Sequence, residues 1–314
     1  MTIKWGILST AHINRRIIPA IRQSRRGILY GVASRNIEKA RAYASQWEIP
    51  NSYGRYEEML DDKNIDVIYI SLPNHLHTDW IIRSLEAGKH VLCEKPMCLS
   101  IDEFDAVEKA VAKTGLTVME GFMYLHHPQT QLWKTIIDRG DLGEIHSIRS
   151  CFSFKFERGA DNYRWNAEEG GGALWDIGVY PVSLFQYLYG LPAQEAFAFQ
   201  NKENGIDLST SGMLEYGDGC TGQFFVSFRS AFSTETIIHG SDAQLFISHP
   251  FTNVDACKAY IRRNDDIENL DVPRQYLYSG EVENMHDIIL DGKSPYVSLD
   301  VSRNVLKTIL SLKS

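Results

Sequence analysis

The chain has 314 residues, 44% hydrophobic and 23% charged, with a net charge of −8. That length suits two domains of ordinary size and buries most of its unfolded surface without covalent staples. The acidic balance and the lack of a basic stripe exclude nucleic acid as a partner. The densest basic run, Arg22 to Arg26, reads as a solvated helix end. Five cysteines, at 93, 98, 151, 220 and 257, lack paired spacing, which argues against a disulfide framework and predicts a reducing, cytoplasmic setting. "MTIKWGILST" lacks a signal-type apolar region, and no apolar run reaches membrane-spanning length.

Strands and helices alternate over the first 120 or so residues. "IKWGILS" (3–9) is an apolar strand, and 12–24 follows as a helix with Ile13, Ile17, Ala20 and Ile21 on one face. Further strands are predicted at 27–34, 66–72, 90–94 and 117–122, with helices at 36–47 and 77–88, the latter closed by Gly88. Ser100 with Glu103 has the capping-box spacing that opens another helix. Strands that are apolar throughout and alternate with helices predict a parallel sheet covered on both faces.

The second half reads differently. A long alternating stretch at 144–156 precedes a helix from Gly172 to Tyr189, and strand-like runs follow at 193–199, 208–216, 220–229, 233–239 and 243–248. This pattern predicts a mostly antiparallel sheet with one exposed or partner-covered face. Two helices, at about 280–290 and 299–312, end the chain. The predicted division is 1–122 and 123–314.

Four motifs carry the chemistry. In the first strand-to-helix turn, "GILSTAHIN", Ser9, Ala11 and Asn14 occupy the places of a dinucleotide fingerprint's glycines. Small side chains still let a pyrophosphate approach the backbone, and the helix start offers free N–H groups. Ser9, Thr10, Ala11, His12 and Ile13 are therefore cofactor candidates. The second strand ends in Ser34 and Arg35 where NAD enzymes often carry an acid. Arg35 suits a 2′-phosphate, so NADP is the expected cofactor and NAD the alternative. "LPNHLH" (72–77) and "CEKP" (93–96) also end strands, which adds Leu72, Asn74, His77, Glu94 and Lys95 to the cofactor candidates. His75 and His77 have no acid or cysteine to complete a metal set, and no metal is expected. Finally, "NYRWNAEEGGGALWDIGVYP" (162–181) places Asp176 and Tyr180 four residues apart after three glycines, on one helix face.

Together the turn at Gly6 to Asn14, "PNHLH", "EKP" and "GGGALWDIGVYP" resemble the Gfo/Idh/MocA oxidoreductase family. The resemblance covers essentially the whole chain. It implies an α/β protein with an N-terminal Rossmann domain and a C-terminal α/β domain built on a large open, mostly antiparallel sheet. It also implies homodimers or homotetramers formed through that sheet, and hydride transfer between NAD(P) and a sugar, cyclitol or diol. Many members carry histidine where this chain has Tyr180, and the tyrosine version with "NYRW" resembles the NADP-linked branch.

By this resemblance Lys95, Tyr180 and Asp176 are the catalytic candidates. Tyr180 exchanges the proton of the reacting hydroxyl or carbonyl, and a neighbouring Lys95 ammonium favours its phenolate. Lys95 orients the substrate oxygen, Asp176 holds a second hydroxyl, and Pro96 is a candidate for a cis peptide bond. Arg164 and Trp165 join Lys95, Asp176 and Tyr180 as substrate candidates, with Phe154, Tyr124 and His126 placed near them by position. Two other readings stand beside this one: a cofactor-binding regulator without turnover, and a dehydrogenase of nucleotide-linked sugars.

Overall fold

A computed structural model describes residues 1–157, 159 and 162–313. They form two compact units, Met1–Met123 with Tyr278–Ser302, and Tyr124–Leu277 with Arg303–Ser314. The second half of the chain thus does not run unbroken from 123 to the end as one unit, because Tyr278–Ser302 returns to the first.

The first unit holds a six-stranded parallel sheet of β1 (Ile3–Leu8), β2 (Gly27–Ala33), β3 (Asn51–Tyr53), β4 (Val67–Ile70), β5 (His90–Glu94) and β6 (Val118–Gly121), ordered β3-β2-β1-β4-β5-β6. This is the doubly wound dinucleotide-binding order, whose switch point lies between β1 and β4. Every residue of β4 is buried, as strands covered on both faces require. Helices α1 (Asn14–Gln23), α2 (Ile37–Gln46), α3 (Tyr56–Leu60), α4 (His77–Glu86) and α5 (Ile101–Thr114) connect the strands. In α1 the apolar stripe Ile17, Ile18, Ala20 and Ile21 is buried. The Ser100 hydroxyl accepts the Glu103 N–H at 3.2 Å, and the Glu103 carboxylate accepts the Leu99 N–H at 2.7 Å. Both members of the predicted capping box therefore act, with the return bond made one residue before the cap.

Helix α8 (Ser279–Asp291) packs against α1. Trp5 Nε1 donates to His286 Nε2 at 2.9 Å, and Arg26 pairs with Glu283, Asp287 and Asp291. Such partners are far apart in sequence, which is why the division of the chain at residue 122 misses this return.

The second unit begins with α6 (Pro128–Asp138) and holds an eight-stranded sheet. Its strands are β7 (Ile145–Ser153), β8 (Glu195–Glu203), β9 (Ile206–Glu215), β10 (Thr221–Ser227), β11 (Ser233–Gly240), β12 (Gln244–Ile247), β13 (Ala259–Arg263) and β14 (Asp266–Asn269). The order is β14-β13-β12-β11-β7-β10-β9-β8, antiparallel except for the β7–β10 pair. The helix expected from Gly172 is instead a five-residue π-turn, Leu174–Gly178, running into α7 (Val179–Tyr189). The last helix, α9 (Leu299–Lys313), ends in this unit. One sheet face is covered and buries Ile148, Phe224 and Leu245. The other exposes Phe197, Phe199, Met213 and Phe225.

Candidate active site

In the first unit the cofactor candidates gather at the carboxyl ends of β2, β1, β4 and β5, four neighbouring strands around the switch point. Ser9 ends β1 in a backbone conformation with φ +115°, where glycine is favoured. Its hydroxyl hydrogen-bonds Ser71 Oγ at 2.9 Å and accepts the Ala11 N–H at 3.1 Å. The Asn14 amide donates to Ser9 O at 2.9 Å and accepts from Ser71 Oγ at 2.6 Å. A hydrogen-bonded Ser9–Ser71–Asn14 set thus replaces fingerprint glycines and keeps the turn tight. The small turn and the strand ends around it fit a dinucleotide. Thr10, Ala11 and Ile13 are half-exposed and His12 exposed beside it. Ser34 is buried at the end of β2, and exposed Arg35 lies beside Tyr56.

The ends of β4 and β5 are tied together. The two ring nitrogens of buried His77 lie 2.8 Å from the carbonyl oxygens of Leu72 and Pro96. Burial pushes its pKa down, despite those two carbonyls. Asn74 is also buried here. The Lys95–Pro96 peptide is cis, as the sequence suggested. The buried Tyr69 hydroxyl donates a short hydrogen bond to Glu94 Oε1. Glu120 Oε1 accepts the Met97 N–H at 2.8 Å. Half-buried Lys95 stands between these two anchored points. Glu281 of α8 is buried nearby, and burial first, then the Glu94 charge, raises its pKa well above the carboxylate range. Among the described residues no group of three or more His, Cys, Asp or Glu is arranged to hold a metal ion.

In the second unit the glycine-rich segment folds back on "NYRW". Gly170 and Gly172 have φ of +78° and +109°, and Gly172 N–H bonds Arg164 O at 3.0 Å. A side chain at Gly171 would meet Arg164 O and Asn166 O at 2.6 Å. This closure brings Arg164 onto Asp176. Arg164 Nε donates to Oδ2 at 2.7 Å and its terminal nitrogen to Oδ1 at 3.0 Å. Two candidates read separately from the sequence are thus one bidentate pair, and both Asp176 oxygens already accept from a cation. Burial opposes the Arg164 charge, and Asp176 more than restores it.

Tyr180 is buried, with rings of Phe152, Phe251 and Tyr124 at 5.3–5.6 Å. The Tyr124 hydroxyl donates to the Tyr180 carbonyl at 3.1 Å, so Tyr124 supports the helix backbone. His126 is buried, and its pKa falls to about 3, leaving a neutral ring. From Phe152 an aromatic row runs outward through Phe154 and Phe156 to Trp165, with Phe228 beside it. Arg164 lies over the rings of Phe156 and Tyr163. Phe152 and Phe156 share the alternation of "CFSFKF", a signal that points to one face. Phe228, Phe251 and Glu120 come from elements whose partners only folding reveals.

A parallel β3-β2-β1-β4-β5-β6 sheet with tight, small-residue turns at its carboxyl ends, followed by an open sheet carrying an Asp–Tyr helix, defines a two-unit nicotinamide-dependent oxidoreductase. Residues 3–122 match the family described as "Oxidoreductase family, NAD-binding Rossmann fold" and 130–246 match the "GFO/IDH/MocA C-terminal domain". The chain belongs to the Gfo/Idh/MocA family of dehydrogenases and reductases. It is 35% identical over 311 residues to D-xylose 1-dehydrogenase (NADP(+)) 2 of Haloferax volcanii, covering 97% of this chain and 94% of that one. It is 30% identical over 298 residues to a dTDP-3,4-didehydro-2,6-dideoxy-alpha-D-glucose 3-reductase of Actinomadura kijaniata, covering 93% and 89%. A crystal structure of a 3-ketoreductase from A. kijaniata in complex with TDP-benzene and NADP matches with TM-score 0.91 at 26% identity, over 100% of this chain and 98% of that one.

Proposed function

We propose that this enzyme is an NADP-linked dehydrogenase or reductase of a sugar, cyclitol or diol, with Tyr180 exchanging the proton at the reacting oxygen. The observation that carries the cofactor half is the clustering of Ser9 to Ile13, Ser34, Arg35, Leu72, Asn74, His77, Glu94 and Lys95 at four adjacent strand ends. The bound cofactor supplies or accepts the hydride. Arg35, exposed at the end of β2, would hold the 2′-phosphate with its guanidinium. Relatives named for NADP and for sugar substrates support the same reading.

The residues of this chain divide the remaining work. Lys95 orients the substrate oxygen, held by the Glu94 and Glu120 anchors on either side of it. Tyr180 gives or takes the proton, and its buried ring limits exchange with bulk water. Asp176 sets the guanidinium of Arg164, and that pair, with Trp165 and Phe154, holds the rest of a polyhydroxylated substrate. The exposed row Phe197, Phe199, Met213 and Phe225 supports a homodimer or homotetramer formed through the open sheet face.

The test is a fluorescence titration with NADPH and NADH for wild type and Arg35→Ala, followed by turnover of a panel of aldoses, cyclitols, diols and a dTDP-linked keto sugar with wild type and Tyr180→Phe. The expected result is a ten- to hundredfold preference for NADPH that the Arg35 variant loses, and loss of turnover in Tyr180→Phe. Full turnover by Tyr180→Phe would remove it as the proton donor. Turnover confined to the dTDP-linked sugar would move the substrate class to nucleotide-linked sugars.

A further inference from the structure

Asp207, near the start of β9, has no part in the chemistry above, yet it is buried and faces the π-turn that leads to Tyr180. Its Oδ2 accepts the Leu174 N–H at 2.8 Å, the first residue of that turn, and the Thr210 hydroxyl at 2.7 Å. Its Oδ1 lies where a side chain at Gly172 would stand, 2.2 Å from an added Cβ. Gly172 therefore lacks a side chain for two independent reasons, its φ of +109° and this carboxylate. From α9, Lys313 lies over the Trp175 ring at 4.9 Å; burial raises the Asp207 pKa, against its hydrogen bonds to Thr210 and Leu174 and the Lys313 charge.

A π-turn is a local expansion of a helix, often found at functional sites, and its first N–H groups have no partner inside the turn. Here a carboxylate from a strand more than 30 residues away holds one of them. Two residues after Leu174 comes Asp176, and six after it comes Tyr180. Displacing Leu174 therefore moves both groups, and it also moves the Arg164 clamp that Asp176 holds.

We infer that Asp207 is a positioning residue for the reaction: by fastening Leu174 it fixes where Tyr180 and the Asp176–Arg164 pair stand. The inference rests on the reading of Tyr180 as the proton-exchanging group. Asp207 touches no reacting atom and acts through the helix.

The experiment compares Asp207→Ala, Asp207→Asn and Thr210→Val with wild type and Tyr180→Phe. It measures thermal stability, NADPH affinity by fluorescence, and kcat and KM across pH on the best substrate of the panel above. A misplacement of about 1 Å costs on the order of 100-fold in rate. Asp207→Ala is expected to lose between about ten- and 100-fold in kcat, with NADPH affinity within about threefold of wild type, because the cofactor candidates lie in the other unit. Its kcat/KM pH profile shifts, which mere loss of folded protein does not do. Asp207→Asn keeps an oxygen for Leu174 and recovers most of kcat, and Thr210→Val loses less than Asp207→Ala. Unchanged kcat and pH profile in a folded Asp207→Ala overturns the inference. If that variant does not fold, unchanged kcat and pH profile in Thr210→Val overturns it, and a shifted profile with lowered kcat supports it. Full turnover in Tyr180→Phe defeats the proton-donor reading itself. Loss there with normal Asp207 and Thr210 variants defeats only the positioning role.

Discussion

Glu120, buried on β6, accepts the backbone N–H of Met97 at 2.8 Å, two residues beyond Lys95. Burial pushes its carboxyl up to about 7, against the Met97 N–H and the Lys95 charge, while Glu94 raises it further. Cys93, Glu94 and Lys95 face it from β5 and the following turn, and the Ser302 hydroxyl faces it from α9 without hydrogen-bond geometry.

The folded protein therefore holds the Glu120 proton more tightly than the unfolded chain, whose carboxyl titrates near 4.5. This contribution to stability is complete below about pH 4.5 and is lost as pH rises through about 7. Its size is on the order of 3 kcal/mol. Glu120→Gln keeps an oxygen for Met97 and removes the titration. Melting curves from pH 4.5 to 8 should show the variant gaining on wild type as pH rises. A difference independent of pH would rule out a raised Glu120.

Ser9 occupies φ +115° without being glycine, a conformation that costs about 1–3 kcal/mol. Its hydroxyl bonds to Ser71 and Ala11 return about 1 kcal/mol each. Ser9→Gly exchanges one gain for the other, so stability is expected within about 1 kcal/mol of wild type and NADPH affinity within about threefold. Ser9→Val combines a β-branched side chain with positive φ and should lose at least about 2 kcal/mol and most NADPH binding. Urea unfolding with a parallel fluorescence titration reads both. Equal behaviour of the two variants would show that backbone conformation is not what Ser9 answers to.

The Arg164–Asp176 pair is buried on the aspartate side, with side-chain exposure of 21% and 8%. Removing one partner of such a pair leaves a buried charge, a cost of about 3–5 kcal/mol. Arg164→Ala should therefore destabilise the enzyme more than Arg164→Ala combined with Asp176→Asn. Arg164→Lys cannot donate two parallel bonds and should raise KM about tenfold. A double-mutant cycle on stability and KM checks this, and additive effects would deny the pairing.

Across the open face of the sheet, Phe197 pairs with Met213 on β9, and Phe199 lies in a row with Ser211 and Phe225. Exposed apolar rows of this kind mark interfaces. Phe199→Asp with Met213→Lys should lower the mass seen by light scattering toward one chain of 35.7 kDa. A wild type already at that mass would remove the oligomer proposal.

Sequence alone marked five of the six strands of the first sheet and their parallel, doubly covered arrangement, because apolar strands alternated with amphipathic helices; β3, three residues long, gave no such signal, and the strand order came only with the fold. It also marked the strand ends where the cofactor candidates gather, since turns such as "STAHIN" and "EKP" follow their strands directly. The alternation in the second half was readable too, although the short β13 and the short, fully exposed edge strand β14 gave no clear signal. The return of α8 to the first unit, the capture of Asp176 by Arg164 and the anchoring of Leu174 by Asp207 were decided only by the tertiary structure. Each joins groups whose contact depends on chain closure rather than on local period: Arg26 meets Glu283 across 257 residues, and Leu174 meets Asp207 across 33. A helix that reads as regular by its 3.6-residue period opens with a π-turn at Leu174, whose N–H is held by the buried Asp207 carboxylate, and no local pattern records that partner.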